Sequence, residues 1–560
     1  MAETAAAPAA GRALPAEPGE PPVMRWWGWG VDAGAGALPA HALSFLRENV
    51  GLAERPSPPV ALANVHLPEP ALSNAVLSSL RGIVGSDEVR DSHAERVVHT
   101  AGKGYADLVR LRSGEPEGAP DAVVLPASAA ELAAVLQLCA RTRTAVVPFG
   151  GGTSVVGGVA PLRGENPAVI ALDTKRLRAI ELDRESLLVT VGAGTRAPAL
   201  ESYLASLGLT LGHFPQSYEF VSLGGCAATR SAGQASSGYG AIAEMVTGLR
   251  MHSPERHLDL AAFPATAAGP DLRALVVGSE GTLGVISELT LRVRIAPATR
   301  VYEGVFFESF DAGVAALRSL AREHAVPDVA RLSDEEETRM SLALAGVHGV
   351  KDRLGRAYLA LRGYRGGCLA ILGFEGSEDE VSGRRKRALA LVRRAGGLAV
   401  GSSPGEAWRR SRFAAPYLRD ELLTHGVLVE TLETATRWSN LVRLRAAVAR
   451  ALEEALRAHR TPPLVFCHVS HVYETGASLY FTFIARQREG EEVAQWREAK
   501  EAASAAICTN GGTITHHHAV GRDHAPWMRD EIGADGIATL RALKAELDPS
   551  GIMNPRKLLP

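Results

Sequence analysis

Between Pro148 and Gly158 the chain places five glycines in the nine residues from Gly150 to Gly158, directly after the apolar run Ala145-Val146-Val147. No compact helix or strand tolerates that density of glycine, so the segment has to be a loop at the end of a short buried strand. Without side chains, its backbone N–H groups can close around an anion, and Thr153 and Ser154 add hydroxyl donors. A plain turn would use the same residues, so the neighbouring segments have to decide between the two.

Those neighbours are α+β in texture. Short β-rich runs at 122–125, 145–147 and 169–172 alternate with a helix expected over 128–141. Leu187 to Val191 reads as a strand, and a helix carrying Leu200, Tyr203, Leu204 and Leu207 follows it. Ala274-Leu275-Val276-Val277 is expected to be a strand running into the second glycine-rich turn, Gly278 to Ile286, with a closing strand over 287–295. Beyond Pro297 the pattern shifts to longer charged helices, such as Leu441 to Arg457, mixed with strands at 302–307, 369–374 and 478–485. The expected organisation is a disordered Ala/Pro-rich tail over 1–22 and a helical region over 23–115. A ligand-binding unit over 116–297, a cap over 298–510 and a C-terminal segment over 511–560 follow. The Trp26-Trp27-Gly28-Trp29 cluster reads as a packed lid over a core surface.

At 560 residues the chain exceeds one hydrophobic core, and 46% hydrophobic residues suffice to bury a large cofactor. The net charge of −2 provides no field for nucleic acid, so phosphate recognition must be local. The five cysteines form no C-x-x-C pair, which argues against a disulfide framework or a zinc or iron–sulfur centre. With no signal-peptide core and no long apolar run, a soluble cytoplasmic protein is expected.

Three further segments belong with the opening loop: Gly212 to Gly225, Arg230 to Gly240, and Gly278 to Ile286. In this order and spacing the four resemble the FAD-binding module of the vanillyl-alcohol oxidase and p-cresol methylhydroxylase superfamily. The resemblance implies an α+β fold in which a two-subdomain FAD-binding domain carries an α/β cap. FAD would be bound without covalent attachment, its diphosphate on Pro148, Phe149, Gly150, Gly151, Gly152, Thr153 and Ser154. Further contacts would come from Gln216, Ser217, Tyr218, Glu219, Phe220, Val221 and Ser222, from Thr229, Arg230, Ser231 and Ala232, and from Glu280, Gly281, Thr282, Leu283, Gly284, Val285 and Ile286. His213 would sit close to the flavin.

Within that superfamily the chain is similar to the alkyldihydroxyacetonephosphate synthase family over nearly all of 25–560. Trp27-Gly28-Trp29-Gly30, Arg331-Leu332-Ser333-Asp334, Tyr417-Leu418-Arg419-Asp420, Leu479-Tyr480-Phe481 and Gly511 to His518 carry the likeness. It implies exchange of the acyl chain of 1-acyl-dihydroxyacetone phosphate for a long-chain alcohol, without net redox. Tyr480, His516, His517 and His518 would do acid–base work, Arg331 would support them, and Arg419 would bind the phosphate with Thr431 nearby. Gln216 stands where the family has an acid, and Arg409 and Arg410 are candidate replacements for other family contacts. Read from the residues alone, the three histidines alternate sides on an extended segment, and acid–base, structural and metal-binding roles all stay open; no metal is expected. A homodimer and peripheral membrane contact fit a large enzyme with a lipid substrate. The alternatives are an FAD-dependent dehydrogenase or oxidase of a 2-hydroxy acid or alcohol, and a flavin-binding protein without turnover.

Overall fold

In the computed structural model, residues 23–31, 38–344 and 350–560 are described. The tail over 1–22, for which disorder is expected, lies outside them. Of the Trp cluster, Trp29 is buried and Trp26 and Trp27 are partly so.

The glycine loop grows out of a four-stranded sheet in the order Val89–Arg90, Ala122–Val124, Ala168–Asp173, Thr144–Phe149. Its three longer strands run parallel, which requires a crossover, and the helix Ala129–Thr142 provides it. That helix starts where Ser128 Oγ accepts the Glu131 N–H (3.2 Å), and it buries Leu132, Val135, Leu136 and Cys139 against the sheet. The parallel strands are buried on both faces, so they read as continuous apolar runs rather than alternating ones.

A five-stranded antiparallel sheet follows, ordered Ile180–Asp183, Leu188–Gly192, Val285–Arg292, Val246–His252, His257–Leu260. The expected strand at 274–277 is instead the short helix Arg273–Val276. Four apolar residues fit either state; here the Asp271 carboxylate accepts the Arg273 N–H (2.9 Å) and starts a turn, which Gly278 ends at φ +95°.

The cap is a seven-stranded antiparallel sheet, ordered Leu398–Gly401, Thr299–Phe307, Cys368–Gly376, Val329–Ser333, Leu464–Val472, Gly476–Arg486, Val427–Arg437. One face packs on helices: Leu479, Phe481 and Phe483 join Leu444, Val448 and Leu452 of Leu441–Ala458 and Ala503 of Glu492–Thr509 in one core. Burial of each such Leu or Phe contributes about 1.5–3 kcal/mol. By strand alternation the residues that follow Leu479, Phe481 and Phe483, namely Tyr480, Thr482 and Ile484, point the other way, into a cavity. The chain's end returns to the first sheet, where Met553 bridges to Val146. No described helix is long and apolar enough to cross a membrane.

Candidate active site

The cavity holds about 560 Å³ and lies between the glycine loop and the free face of the cap sheet. Its first wall is formed by residues 148–155. Ser154 Oγ accepts the Gly158 N–H (2.9 Å) and closes the loop, while the N–H groups of Gly150, Gly151, Gly152 and Thr153 have no acceptor among the described residues. A Cβ on Gly152 would stand 2.6 Å from the Phe149 ring, at a backbone φ of +66° that favours glycine. Gln216 and Gln234 line the next stretch; their amides meet at 3.0 Å, leaving Gln216 Nε2 and Gln234 Oε1 buried without partners. Free N–H groups beside unmet amide donors and acceptors suit a diphosphate joined to a polar heteroaromatic ring, so these residues fit FAD.

The opposite wall carries the ionisable groups. Arg331 lies against both ring nitrogens of His468 (3.0 and 3.1 Å) and donates to Glu337 (2.7 Å). Burial opposes ionisation of Glu337, but Arg331 and His468 outweigh it and hold the carboxyl far below its ordinary range. The His468 ring stacks on Tyr480 at 4.9 Å. Burial, countered by a hydrogen bond with Thr431 and reinforced by Glu433, pushes the Tyr480 phenol up to about 12, so it is a proton donor at neutral pH.

Glu433 organises the histidines. Its buried carboxylate accepts the backbone N–H groups of His516, His517 and His518 (2.7–2.8 Å) and the Thr515 hydroxyl (2.8 Å). The triplet is therefore curled around an anion, and the extended, side-alternating arrangement expected from sequence is not what forms: three successive N–H groups converge on one acceptor. His517 and His518 line the cavity; His516 does not, and its Nε2 meets the Tyr473 hydroxyl at 2.5 Å. Burial drives the His518 imidazole down to about 3 and that of His516 to about 4 against the pull of Glu433, so both are neutral bases at physiological pH. The sequence offered no ligand set near the triplet, yet ring nitrogens of His471, His516 and His517 lie within 4.8 Å of one another. Hydrogen bonds engage them: His471 Nε2 with the Gly233 carbonyl (2.9 Å), His471 Nδ1 with Ser470 Oγ (3.0 Å), and His516 Nδ1 with His517 Nδ1 (3.0 Å).

At the third side Arg419 donates to the Lys103 carbonyl (2.6 Å), and its Nε is buried without a partner. An apolar arm made by Met340, Leu418, Leu422, Val429, Phe466 and Ile484 leads away from it. A second cavity of about 340 Å³, walled by Asp107, Arg110, Arg163 and Arg522, shares no lining residue with this one.

Of the residues singled out from sequence, Pro148 to Ser154, Gln216, Ser217, Val221, Thr229, Ser231, Ala232, Glu280, Gly281, Val285, Ile286, Arg331, Arg419, Thr431, Tyr480, His517 and His518 line the cavity. His213 does not: it is fully buried, 3.3 Å from the hydroxyl of Ser231, and Ser231 faces the cavity instead. Tyr218 stacks on Phe413, Glu219 binds the Trp29 indole and the Tyr417 hydroxyl, and Phe220 meets the Trp29 ring edge-on. Ser222 caps the helix Leu223–Ala228, Arg230 is exposed, and Thr282, Leu283 and Gly284 support their turn from outside the lining. Arg409 pairs with Glu406 at the surface (2.9 Å), and neither Arg409 nor Arg410 reaches the lining. Sequence reading missed Lys103, Glu433, His468 and His471. Strand alternation from Tyr480 and pairing across to Glu433 and His468 is the signal that marks two of them.

The FAD binding domain family matches residues 120–255, and the family of FAD linked oxidases, C-terminal domain, matches 296–558. The alkyldihydroxyacetonephosphate synthase of Dictyostelium discoideum is 33% identical over 512 residues, covering 90% of this chain and 84% of that protein. A solved alkyldihydroxyacetonephosphate synthase structure superposes with a TM-score of 0.83 at 30% identity, covering 96% of this chain and 99% of the other. A p-cresol methylhydroxylase structure, at 15% identity and a TM-score of 0.65 over 87% of this chain and 96% of its own, shares the fold. Sequence, family matches and architecture agree: the chain belongs to the alkyldihydroxyacetonephosphate synthase family of FAD-dependent enzymes.

Proposed function

We propose that this protein exchanges the acyl chain of a 1-acyl-dihydroxyacetone phosphate for a long-chain alcohol, releasing a fatty acid and forming an ether with no net oxidation or reduction. One observation carries the reading. A single cavity joins a glycine cradle, a cluster of histidines around a protonated tyrosine, an arginine with an unmet buried donor, and an apolar arm.

Each part has a task in that exchange. Arg419, with Thr431 nearby, takes the phosphate, because a guanidinium matches its oxygens with paired donors. The arm of Met340, Leu418, Leu422, Val429, Phe466 and Ile484 takes a hydrocarbon chain. His517 and His518, facing the cavity, accept the proton from the carbon that bears the ester, and Tyr480 donates to oxygen. Arg331 and Glu337 keep His468 in place beneath the Tyr480 ring. Pro148 to Ser154, with Gln216 and Gln234 beside them, would hold FAD, which when bound would supply flavin chemistry for the exchange. A homodimer and contact with a lipid surface near the exposed Tyr358 and Leu361 belong to the same proposal, and light scattering and vesicle co-sedimentation test them.

Mixing the holoenzyme under nitrogen with hexadecanoyl-dihydroxyacetone phosphate, then with labelled hexadecanol, tests the reaction. The expected result is flavin bleaching with release of hexadecanoate, then recovery of colour as label enters an ether. Stable reduced flavin with a keto product would assign a dehydrogenase instead.

A further inference from the structure

We infer that Lys103 is a second cationic ligand for the substrate's phosphate, acting beside Arg419; this rests on the reading just proposed. Lys103 walls the cavity and is only 5% exposed. Its ammonium donates to the carbonyls of Arg25 (2.6 Å) and Trp26 (3.3 Å), two neutral acceptors for three N–H bonds. No carboxylate among the described residues comes within ion-pair distance of it.

The backbone of the same residue ties the two sides of the site together. Its N–H donates to the Ser154 carbonyl on the glycine loop (2.6 Å), and its carbonyl accepts from Arg419 Nη1 (2.6 Å). Two cationic side chains thus converge on one desolvated space, and Arg419 Nε has no partner there. Such a pair is unfavourable when alone and favourable around a dianion. The charged groups facing Lys103 are Asp420, Arg419 and Asp107. Asp420 is partly spent, since its Oδ2 accepts the Trp29 N–H (2.5 Å). Burial first, and Arg419 after it, lower the ammonium to about 7 despite the two acids. An arriving phosphate dianion reverses that balance, so binding draws a proton onto Lys103.

The test uses full-length holoenzyme with Lys103→Gln, which keeps an N–H donor for the Arg25 and Trp26 carbonyls, and Lys103→Arg, which keeps the charge. Steady-state kinetics compare hexadecanoyl-dihydroxyacetone phosphate with its phosphate-free analogue. Lys103→Gln should raise KM for the phosphate ester about 10- to 100-fold with kcat nearly unchanged, leave the analogue's KM alone, and be largely rescued in Lys103→Arg. Calorimetry with dihydroxyacetone phosphate, which needs no turnover, should show proton uptake in the wild type and none in Lys103→Gln. Unchanged KM, an equal rise for both substrates, or loss of FAD with KM intact would each overturn the assignment. Absence of wild-type turnover with the acyl substrate would instead sink the proposed reaction, while the calorimetric comparison would still judge Lys103.

Discussion

Glu433 is the residue on which the histidine cluster depends most, because it meets three consecutive backbone N–H groups and one hydroxyl with a single buried charge. Glu433→Gln removes the charge and turns half of the acceptor into a donor facing N–H groups. Loss of stability of about 2–4 kcal/mol is expected, together with a fall in kcat of at least about 100-fold as His517 and His518 lose their placement. The sign of the pH dependence follows from the direction of the shift. Burial resists ionisation, but the three histidines outweigh it and hold the carboxyl well below its ordinary 4.5. Its contribution is therefore complete above about pH 4.5 and is lost as pH falls further. Thermal melts of wild type and variant should differ most at neutral pH and converge on acidification below that point; a gap independent of pH would contradict a charge-based role. The family resemblance singled out Tyr480, Arg419 and the triplet; Tyr480, Arg419, His517 and His518 line the cavity, whereas His516 turns to Tyr473. Glu433 and Lys103 were not legible, since a lone acid on a strand and a lone lysine before a helix look like surface residues until the fold brings partners from far along the chain.

Among the elements, the glycine loop does what its composition demands, and it tolerates side chains less than a glycine on an open helix face does. At Gly152 a Cβ meets the Phe149 ring at 2.6 Å and the backbone sits at φ +66°, so Gly152→Ala distorts the cradle itself. Gly82, inside the helix Asn74–Val84, has nothing within 4 Å of an added Cβ. Gly82→Ala should stabilise the protein by about 0.5–1 kcal/mol with FAD content unchanged. Gly152→Ala should weaken FAD retention at least about tenfold, read by flavin fluorescence on dilution. Equal FAD affinity in both variants would show that the loop does not hold the cofactor. Periodicity located the strands and helices around this loop well. It failed at 274–277, where the apolar run is too short to carry a period and a capping aspartate and a left-handed glycine decide the outcome.

At the level of the whole molecule, the two ends of the chain complete the site that the middle builds. Near the start, Trp29 lines the cavity, its N–H on Asp420 of the cap and its indole on Glu219 of the FAD-binding unit. Near the finish, Asn554 Nδ2 donates to the carbonyls of Glu280 (2.6 Å) and Gly158 (3.1 Å), and Lys557 Nζ to that of Ala160 (2.9 Å). Glu280 in turn accepts the N–H groups of Val520 (2.8 Å) and Gly521 (2.7 Å). These contacts brace the glycine loop and the turn at Glu280. Nothing in the last twelve residues looks like a site, because their contribution is made by an amide and an ammonium group spaced to fit surfaces 270 or more positions upstream. Removing residues 549–560 should leave the cap sheet and its helical core folded, since that core draws no residue from beyond Ile507. The shortened protein should be purified largely without flavin and show a separate early melting transition for the FAD-binding unit, while wild type melts with its flavin bound. Full retention of FAD by the truncated chain would mean that the loop is rigid on its own and that the C-terminal brace is dispensable.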